Sequence, residues 1–167
     1  TVCGSTGWLK DMEQAKSICQ ENNTAFIYAS NFSIGVNLFF KINALIAKWM
    51  YLQKEYAVSI EEIHHTEKKD SPSGTAVTLA EGILEQYPTK SKWVNNCAAS
   101  DHELLILSKR IDPAPGTHIV HYDSVIDSIQ ITHTAHNRTG FALGAVLAAE
   151  FIVHRKGIFT MQDVLAH

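Results

Sequence analysis

The first thirty residues contain a strand end, a helix and a second strand, and this order constrains the fold more than any other feature of the chain. Val2-Cys3 runs into the small residues 4–7, a pattern typical of a strand that ends in a glycine-containing loop. Residues 10–21 carry apolar side chains at helical spacing, and residues 24–29 form a short β-branched and aromatic run. The order strand, helix, strand predicts one unit of a parallel α/β sheet.

The rest of the chain combines two further helices with a series of closely spaced strands, followed by a last helix. Apolar periodicity and turn residues predict helices at 36–53, 75–87 and 139–154, and strands at 56–65, 104–110, 117–124 and 128–136. Residues 88–103 are polar and show no period, so no element is predicted there. The pattern predicts an α+β middle with a mixed sheet, bracketed by α/β elements at both ends.

The predicted helix at 36–53 carries an apolar stripe. Its members recur every three or four positions, as in an amphipathic helix: Leu38, Ile42, Leu45, Trp49 and Leu52. We interpret this stripe as core or as a subunit contact rather than as a cofactor site.

Composition narrows the function class. Apolar residues make up 46 % of the 167 residues, charged residues 19 %, and the formal net charge is −3, which is typical of a globular protein with its own core. The mild acidity predicts no nucleic-acid partner and no anionic-membrane surface. Three cysteines without a CxxC pair favour a reducing, cytoplasmic location. No apolar run of about 18 residues and no leader-like start are seen, so we expect no membrane partner or export.

The densest run of chemically active residues lies at positions 62–75. Two imidazoles, His64 and His65, stand at a predicted strand end, and Lys68 follows in a loop. Gly74 and Thr75 then open a helix, where backbone N–H groups and the positive end of the helix dipole form an anion site. A carboxylate or phosphate held there would lie near groups that donate protons around neutral pH. The alternative is a solvated charged loop with an ordinary helix cap, and the residues alone leave both readings open.

A zinc hydrolase is a third alternative, because histidines recur as His118-x-x-His121 and His133-x-x-His136. Both pairs fall in predicted strands, where a spacing of three puts the two side chains on opposite faces. We therefore predict no metal site.

The run EIHHTEKKDSPSGTA, residues 62–76, resembles the signature of the 4-hydroxy-tetrahydrodipicolinate reductase (dihydrodipicolinate reductase) family, E-x-H-H-x-x-K-x-D-x-P-S-G-T-A. Residues 4–7 resemble the family's G-T-T-G loop, with Ser5 in place of a threonine, and residues 29–37 resemble its A-x-N-F-S-x-G-V-N stretch. Residues 131–145 resemble the family's ending. The resemblance extends over nearly the whole chain.

This resemblance implies a reductase that transfers a hydride from NADPH or NADH to a small cyclic imine dicarboxylate in lysine and diaminopimelate biosynthesis. It implies His64 as the proton donor, Lys68 as the assisting cation, and His65, Gly74 and Thr75 as substrate contacts. Contacts to the nicotinamide side are implied for Gly4, Ser5, Thr6, Ala29, Ser30, Asn31 and Phe32. A homotetramer assembled through the mixed sheet is implied as well.

The family's first strand and its phosphate-binding G-x-x-G-x-M-G loop are not in these 167 residues, and the chain starts at Thr1 without a methionine. We expect that loop upstream, so that the chain corresponds to the C-terminal two-thirds of the enzyme. Residues 1–33 are then the end of a Rossmann nucleotide-binding domain, residues 34–136 a substrate-binding and oligomerisation domain, and residues 137–167 helices that return to the Rossmann domain. The alternative is a catalytically silent fragment that binds substrate and oligomerises.

Overall fold

The molecule contains two β-sheets, and each sheet packs with helices around its own apolar core. The computed structural model describes residues 1–5, 7–97 and 99–166. One unit comprises Thr1–Asn37 and Arg138–His167, and the other comprises Leu38–Asn137. The architecture is mixed α/β with a mixed sheet, as the sequence predicts.

The elements follow the predicted order, with three additions: two short strands and a short C-terminal helix. The helices are α1 (Met12–Glu21, preceded by a 3-10 turn at Leu9–Asp11), α2 (Ile34–Met50), α3 (Gly74–Leu84), α4 (Thr139–Ile152) and α5 (Met161–Leu165). The strands are β1 (Val2–Cys3), β2 (Ala25–Tyr28), β3 (Ala57–His64), β4 (Lys92–Asn95), β5 (Glu103–Arg110), β6 (Thr117–Asp123), β7 (Ser128–Thr134) and β8 (Gly157–Phe159).

The smaller sheet has the order β1-β2-β8, and both of its pairings are parallel. Ile27 at its centre is fully buried and packs with Ala148 and Ile152 of α4 and with Met161 and Val164 of α5. The strand–helix–strand unit predicted for the first thirty residues is therefore present, with β1 and β2 as parallel neighbours.

The larger sheet has the order β4-β5-β3-β6-β7, with β3 at its centre. Strand β3 pairs parallel with β5 and antiparallel with β6, which makes the sheet mixed. Val58 and Ile60 of β3 point to the buried face and share a core with Leu79 and Ile83 of α3. Because side chains alternate along a strand, Glu62 and His64 fall on that same buried face.

Helix α2 buries a different face from the one that the sequence singles out. Phe39, Ala47 and Met50 lie in the core, whereas the predicted stripe is exposed, with Trp49 59 % accessible. The interpretation as core is thus wrong for these five residues, whereas Phe39 and Phe40 of the same segment do contribute to the core. Apolar residues occur on nearly all sides of α2, so periodicity alone does not choose between the two faces. Subunit contact stays a prediction for the stripe.

Two strands were not predicted. Strand β4 lies in the segment 88–103, which shows no period because an edge strand of four half-exposed residues has little apolar pattern to display. Strand β8 is only three residues long and pairs with β2 inside the segment that the sequence assigns to helices alone. None of the helices described is both long and apolar enough to cross a membrane.

Candidate active site

The candidate site begins where the buried face of β3 turns from apolar to polar. Val58 and Ile60 pack in the core, and Glu62 and His64 continue the same face with exposed fractions of 0 % and 7 %. A buried charge is costly unless it is paired, so the surroundings of the Glu62 carboxylate decide what this end of the strand does.

Strand register places a row of polar residues across the sheet at the level of Glu62. Ser108 of β5 lies on one side of Glu62, and His118 of β6 lies on the other. His133 of β7 is opposite His118, and its ring stacks on Phe39 of α2. The row combines one carboxylate with two buried or half-buried imidazoles on the helix-covered face of the sheet.

Four groups surround the Glu62 carboxylate. The backbone N–H of Ser73 donates to Oε1 at 3.1 Å, and Arg110 Nη1 lies 3.6 Å from the same oxygen. Nδ1 of His64 is 3.2 Å from Oε2, and Nε2 of His118 is 3.7 Å from it. The His64 contact is a close charge contact rather than a well-aligned hydrogen bond, because neither atom has a bond of good geometry within the described residues. Such contacts often tighten only when substrate binds.

These contacts set the charge state of two groups. Burial by itself raises the pKa of the Glu62 carboxyl. The hydrogen-bonding contacts from His118, His64 and Ser73 lower that pKa by more than burial raises it, so the pKa of Glu62 lies well below the ordinary value. Burial lowers the pKa of His118, although its contact with Glu62 opposes that effect. At neutral pH the site therefore holds an ionised carboxylate beside a neutral His118.

The start of α3 is joined directly to this carboxylate. Ser73 is the N-cap, and its Oγ accepts a hydrogen bond from the N–H of Ala76 at 3.2 Å. The same Oγ is 3.1 Å from Nε2 of His118. Gly74 and Thr75 form the first turn, where N–H groups lack acceptors within the helix itself and the helix dipole is positive. The start of α3 is thus held against the row of buried polar residues.

The loop between β3 and α3 carries Lys68 and is tied down by Arg110. Lys68 Nζ lies 2.7 Å from Asp70 Oδ1. Burial raises the pKa of Asp70, but the contact with Lys68 lowers it by more, so the pKa of Asp70 lies below its ordinary value. Arg110 Nη2 donates to the carbonyl oxygen of Asp70 at 2.6 Å, and its Nε donates to that of Lys68 at 3.4 Å. Because Arg110 also reaches Glu62, one guanidinium holds the lysine loop beside the carboxylate.

The residues predicted for the nicotinamide side lie in the other unit. Gly4 and Ser5 follow β1, and residues 29–32 follow β2, so both segments stand at the carboxyl ends of neighbouring parallel strands. A Cβ on Gly4 would lie 3.2 Å from the Phe32 ring, so these segments touch. The carboxyl edge of a parallel sheet is where α/β folds bind ligands. Thr6 lies outside the described residues.

Glu62, His64 and His118 each bring one potential metal-ligand atom within 4.8 Å of the others, and no other such group occurs in residues 1–5, 7–97 and 99–166. The histidines of the pair His118 and His121 lie on opposite faces of β6, as their spacing predicts. His118 faces the core, whereas His121 lies at a position of the opposite face. The Glu62 carboxylate already contacts Ser73, Arg110, His64 and His118, and these contacts form a network of buried polar groups.

The residues predicted for the substrate side lie at the end of β3, in the loop that follows it and at the start of α3. His64 ends β3, His65 follows it, Lys68 lies in the next loop, and Gly74 and Thr75 open α3. Sequence reasoning missed Glu62, Arg110, His118 and Ser73 as members of the site. A signal for Glu62 existed, because a spacing of two from His64 in a strand places both side chains on one face.

Comparison with known proteins agrees with this class of fold. The family model described as "Dihydrodipicolinate reductase, C-terminus" matches residues 35–165. A 4-hydroxy-tetrahydrodipicolinate reductase from Christiangramia forsetii is 55 % identical over 165 residues, which cover 99 % of this chain and 69 % of that protein. One from Methanosarcina barkeri is 36 % identical, covering 98 % of this chain and 63 % of that protein.

A solved structure is similar over almost the whole chain. It is the dipicolinate-bound dihydrodipicolinate reductase from Paenisporosarcina sp. TG-14, with a TM-score of 0.71, 26 % identity, and coverage of 95 % of this chain and 62 % of that one. Fold and site define a mixed α/β protein with a buried histidine–carboxylate pair beside a helix start. The chain belongs to the 4-hydroxy-tetrahydrodipicolinate reductase family, also called the dihydrodipicolinate reductase family, and spans about two-thirds of the length of the relatives it matches.

Proposed function

We propose that this chain provides the substrate side of a reductase that transfers a hydride from NADPH or NADH to the cyclic imine dicarboxylate derived from 4-hydroxy-tetrahydrodipicolinate. The product is tetrahydrodipicolinate, in lysine and diaminopimelate biosynthesis. One arrangement carries the proposal: the Glu62 carboxylate is in contact with His64 and also accepts the Ser73 N–H at the start of α3. A proton donor and an anion-binding helix start are thereby held together.

The substrate carboxylates define the roles of the binding residues. In the proposal, the first turn of α3 at Gly74 and Thr75 holds one carboxylate through backbone N–H groups and the positive end of the helix dipole. Lys68 supplies a positive charge from a loop that Arg110 fixes, and His65 adds a polar contact. The dipicolinate named for the solved relative is a cyclic dicarboxylate of the same class.

Proton transfer completes the reduction. Hydride addition brings an electron pair into the conjugated imine, and one proton must be added elsewhere in that system. His64 gives this proton in the proposal and is reprotonated from solvent, while Lys68 favours the charge that develops before transfer. A nicotinamide cofactor, when bound, would supply the hydride and would be oxidised by that transfer.

Residues of the other unit are proposed to hold that nicotinamide. Gly4, Ser5, Ala29, Ser30, Asn31 and Phe32 are the candidates among the described residues, with Thr6 the remaining member of the predicted set. They fit in one respect: Gly4 lacks the Cβ that would press on the Phe32 ring, so the two loops that follow β1 and β2 can lie close together. Support for a Rossmann remnant comes from the parallel order β1-β2-β8. We propose residues 1–33 and 137–167 as that remnant and residues 34–136 as the substrate and assembly domain.

Assembly and location are part of the same proposal. The face of the five-stranded sheet away from α3 carries exposed Leu107, and the β6–β7 hairpin exposes Val125 and Ile126, which favours a homotetramer built through this sheet. The three free cysteines are compatible with a cytoplasmic location.

The test is the rate of NADPH oxidation by a full-length reductase that contains these 167 residues. We expect His64→Gln to lower kcat by about 100-fold and Lys68→Ala to lower kcat/KM by at least about 10-fold, since general-acid catalysis contributes roughly 10²–10⁴-fold. Near-normal kcat of His64→Gln together with near-normal kcat/KM of Lys68→Ala would overturn the assignment.

The alternative of a silent substrate-binding and oligomerisation module is favoured by one observation, the coverage of only 69 % of the first relative and 63 % of the second. Titration of the 167-residue chain separates the two readings. Binding of pyridine-2,6-dicarboxylate without binding of NADPH supports the silent module for this chain alone. Binding of both ligands supports the reductase.

A further inference from the structure

We propose that Glu62 is a positioning residue that fixes the orientation of the His64 ring. Nδ1 of His64 then faces the Glu62 carboxylate and Nε2 faces Gly116, so Nε2 carries the proton that is transferred. The inference rests on the proposed role of His64 as proton donor. Glu62 is not among the site residues predicted from the sequence.

The first argument is the position of Glu62 on the strand. It precedes His64 by two residues on the buried face of β3, and it is fully buried. Oε2 and His64 Nδ1 are 3.2 Å apart, and neither atom has another well-aligned partner among the described residues. An ionised carboxylate only accepts hydrogen bonds, so it favours the form of His64 that carries hydrogen on Nδ1.

The second argument concerns the opposite ring nitrogen. A Cβ placed on Gly116 would lie 3.0 Å from Nε2 of His64 and 3.3 Å from its Cδ2. The missing side chain leaves room beside Nε2, and the φ of +153° at Gly116 is one that other residues rarely adopt. The ring therefore has Nδ1 facing the Glu62 carboxylate and Nε2 facing Gly116, where no side chain covers it.

The third argument is that the carboxylate is itself held in place. Oε1 accepts the Ser73 N–H at 3.1 Å and faces Arg110, while His118 packs edge-on against His64 with ring centroids 5.1 Å apart and contacts Ser73 Oγ. Glu62 therefore orients His64 relative to the start of α3, where the substrate carboxylate is proposed to bind. When Nε2 gives up its proton, Nδ1 keeps its own, and the neutral ring stays oriented by Glu62 until solvent returns a proton.

Glu62→Gln tests this in the full-length reductase, because glutamine keeps the shape and an acceptor for Ser73 N–H but loses the charge. We expect kcat to fall by about 10–100-fold, the range typical when a buried partner of a functional histidine is replaced, with KM changed by less than about 3-fold. Glu61→Gln is the matched control, since Glu61 lies on the other face in an ion pair with Lys109 at 2.9 Å, and we expect about wild-type kcat. Equal effects of the two variants, or a loss confined to KM, would overturn the proposal.

A spectroscopic measurement on the unsubstituted chain covers the case in which Glu62→Gln does not fold. Nitrogen-15 spectra of the histidines, assigned with a His64→Asn variant, report which ring nitrogen of neutral His64 carries hydrogen. The proposal requires hydrogen on Nδ1, and hydrogen on Nε2 overturns it whether or not the reductase assignment holds. Added zinc that binds stoichiometrically and shifts both His64 and His118 would also overturn it, in favour of a metal site. Hydrogen on Nδ1 together with full activity of His64→Gln would leave the positioning intact and reject the proton-donor role.

Discussion

The backbone N–H of Ser73 donates a hydrogen bond to Glu62 Oε1 at 3.1 Å, across 11 residues of sequence. This bond ties the N-terminus of α3 to the central strand of the larger sheet, within two residues of His64. A helix start and an imidazole that are separate signals in the sequence thereby become parts of one buried polar cluster.

We expect Arg110 to affect the affinity for dicarboxylates indirectly, because it holds the loop that carries Lys68 and is not itself a proposed substrate contact. Arg110→Gln removes the guanidinium that donates hydrogen bonds to the carbonyl oxygens of Lys68 and Asp70, so the loop between β3 and α3 loses its fixed position. We predict binding of pyridine-2,6-dicarboxylate weakened by about 10-fold, in line with about 1.5–3 kcal/mol for hydrogen bonds to charged groups. Isothermal calorimetry on the 167-residue chain provides the measurement.

Lys109→Gln is the control for Arg110. Lys109 precedes it on β5 and points to the opposite face, where it pairs with Glu61. Its replacement should leave the dicarboxylate affinity within about 2-fold, because exposed ion pairs contribute little. An equal loss of dicarboxylate affinity in the two variants would show that affinity depends on the total positive charge of the protein and not on the position of Arg110.

Stability should decrease on acidification because of the buried polar row. The pKa of His118 lies below its ordinary value of 6.5, so the unfolded chain binds a proton that folded His118 does not bind. The free energy of unfolding therefore falls as pH drops below about 6.5, by up to about 1.4 kcal/mol per pH unit for one proton. The lowered pKa of Glu62 acts in the same direction below about 4.5, where the unfolded carboxyl starts to bind its proton.

Urea denaturation between pH 8 and pH 5 measures this slope. A His118→Asn variant should show a shallower decrease than the unsubstituted chain, with both compared relative to their own stability at pH 8. A free energy of unfolding that is constant or rises toward pH 5 would contradict the buried neutral state of His118.

Gly144 of α4 should be the least replaceable glycine of the smaller unit. A Cβ there would lie 1.8 Å from the carbonyl oxygen of Phe32, so the helix packs directly against the backbone of the predicted nicotinamide segment. We predict that Gly144→Ala lowers the free energy of unfolding by about 3 kcal/mol or more, the upper range for overpacking.

Gly140→Ala is the matched control in the same helix. Its Cβ would be 3.6 Å from Ser33 Oγ, an ordinary contact, and alanine is the better helix former by about 0.8–1.0 kcal/mol. Thermal unfolding should show a melting temperature unchanged or higher for Gly140→Ala and clearly lower for Gly144→Ala. Similar melting temperatures for both variants would show that the helix is free to move away from Phe32.

Much of this arrangement follows from local pattern. The period-two burial of β3 and the helix start at Ser73-Gly74 are visible in the sequence, and the predicted bounds lie within about three residues of those observed. The partners of Glu62 were missed because they come from other strands: Arg110 and His118 reach it only through the register of β5 and β6. The face that α2 buries was misassigned for a related reason, since tertiary packing chooses between two apolar faces of one helix.

The most direct test of the account is calorimetric titration of the 167-residue chain with pyridine-2,6-dicarboxylate, comparing Lys68→Ala with Lys69→Ala. Arg110 donates a hydrogen bond to the backbone carbonyl oxygen of Lys68, whereas Lys69 is an exposed neighbour of the same charge. The account predicts saturable binding at one site per chain, weakened at least about 10-fold by Lys68→Ala and less than about 3-fold by Lys69→Ala. A folded chain that shows no saturable binding, or equal weakening by the two substitutions, would contradict it.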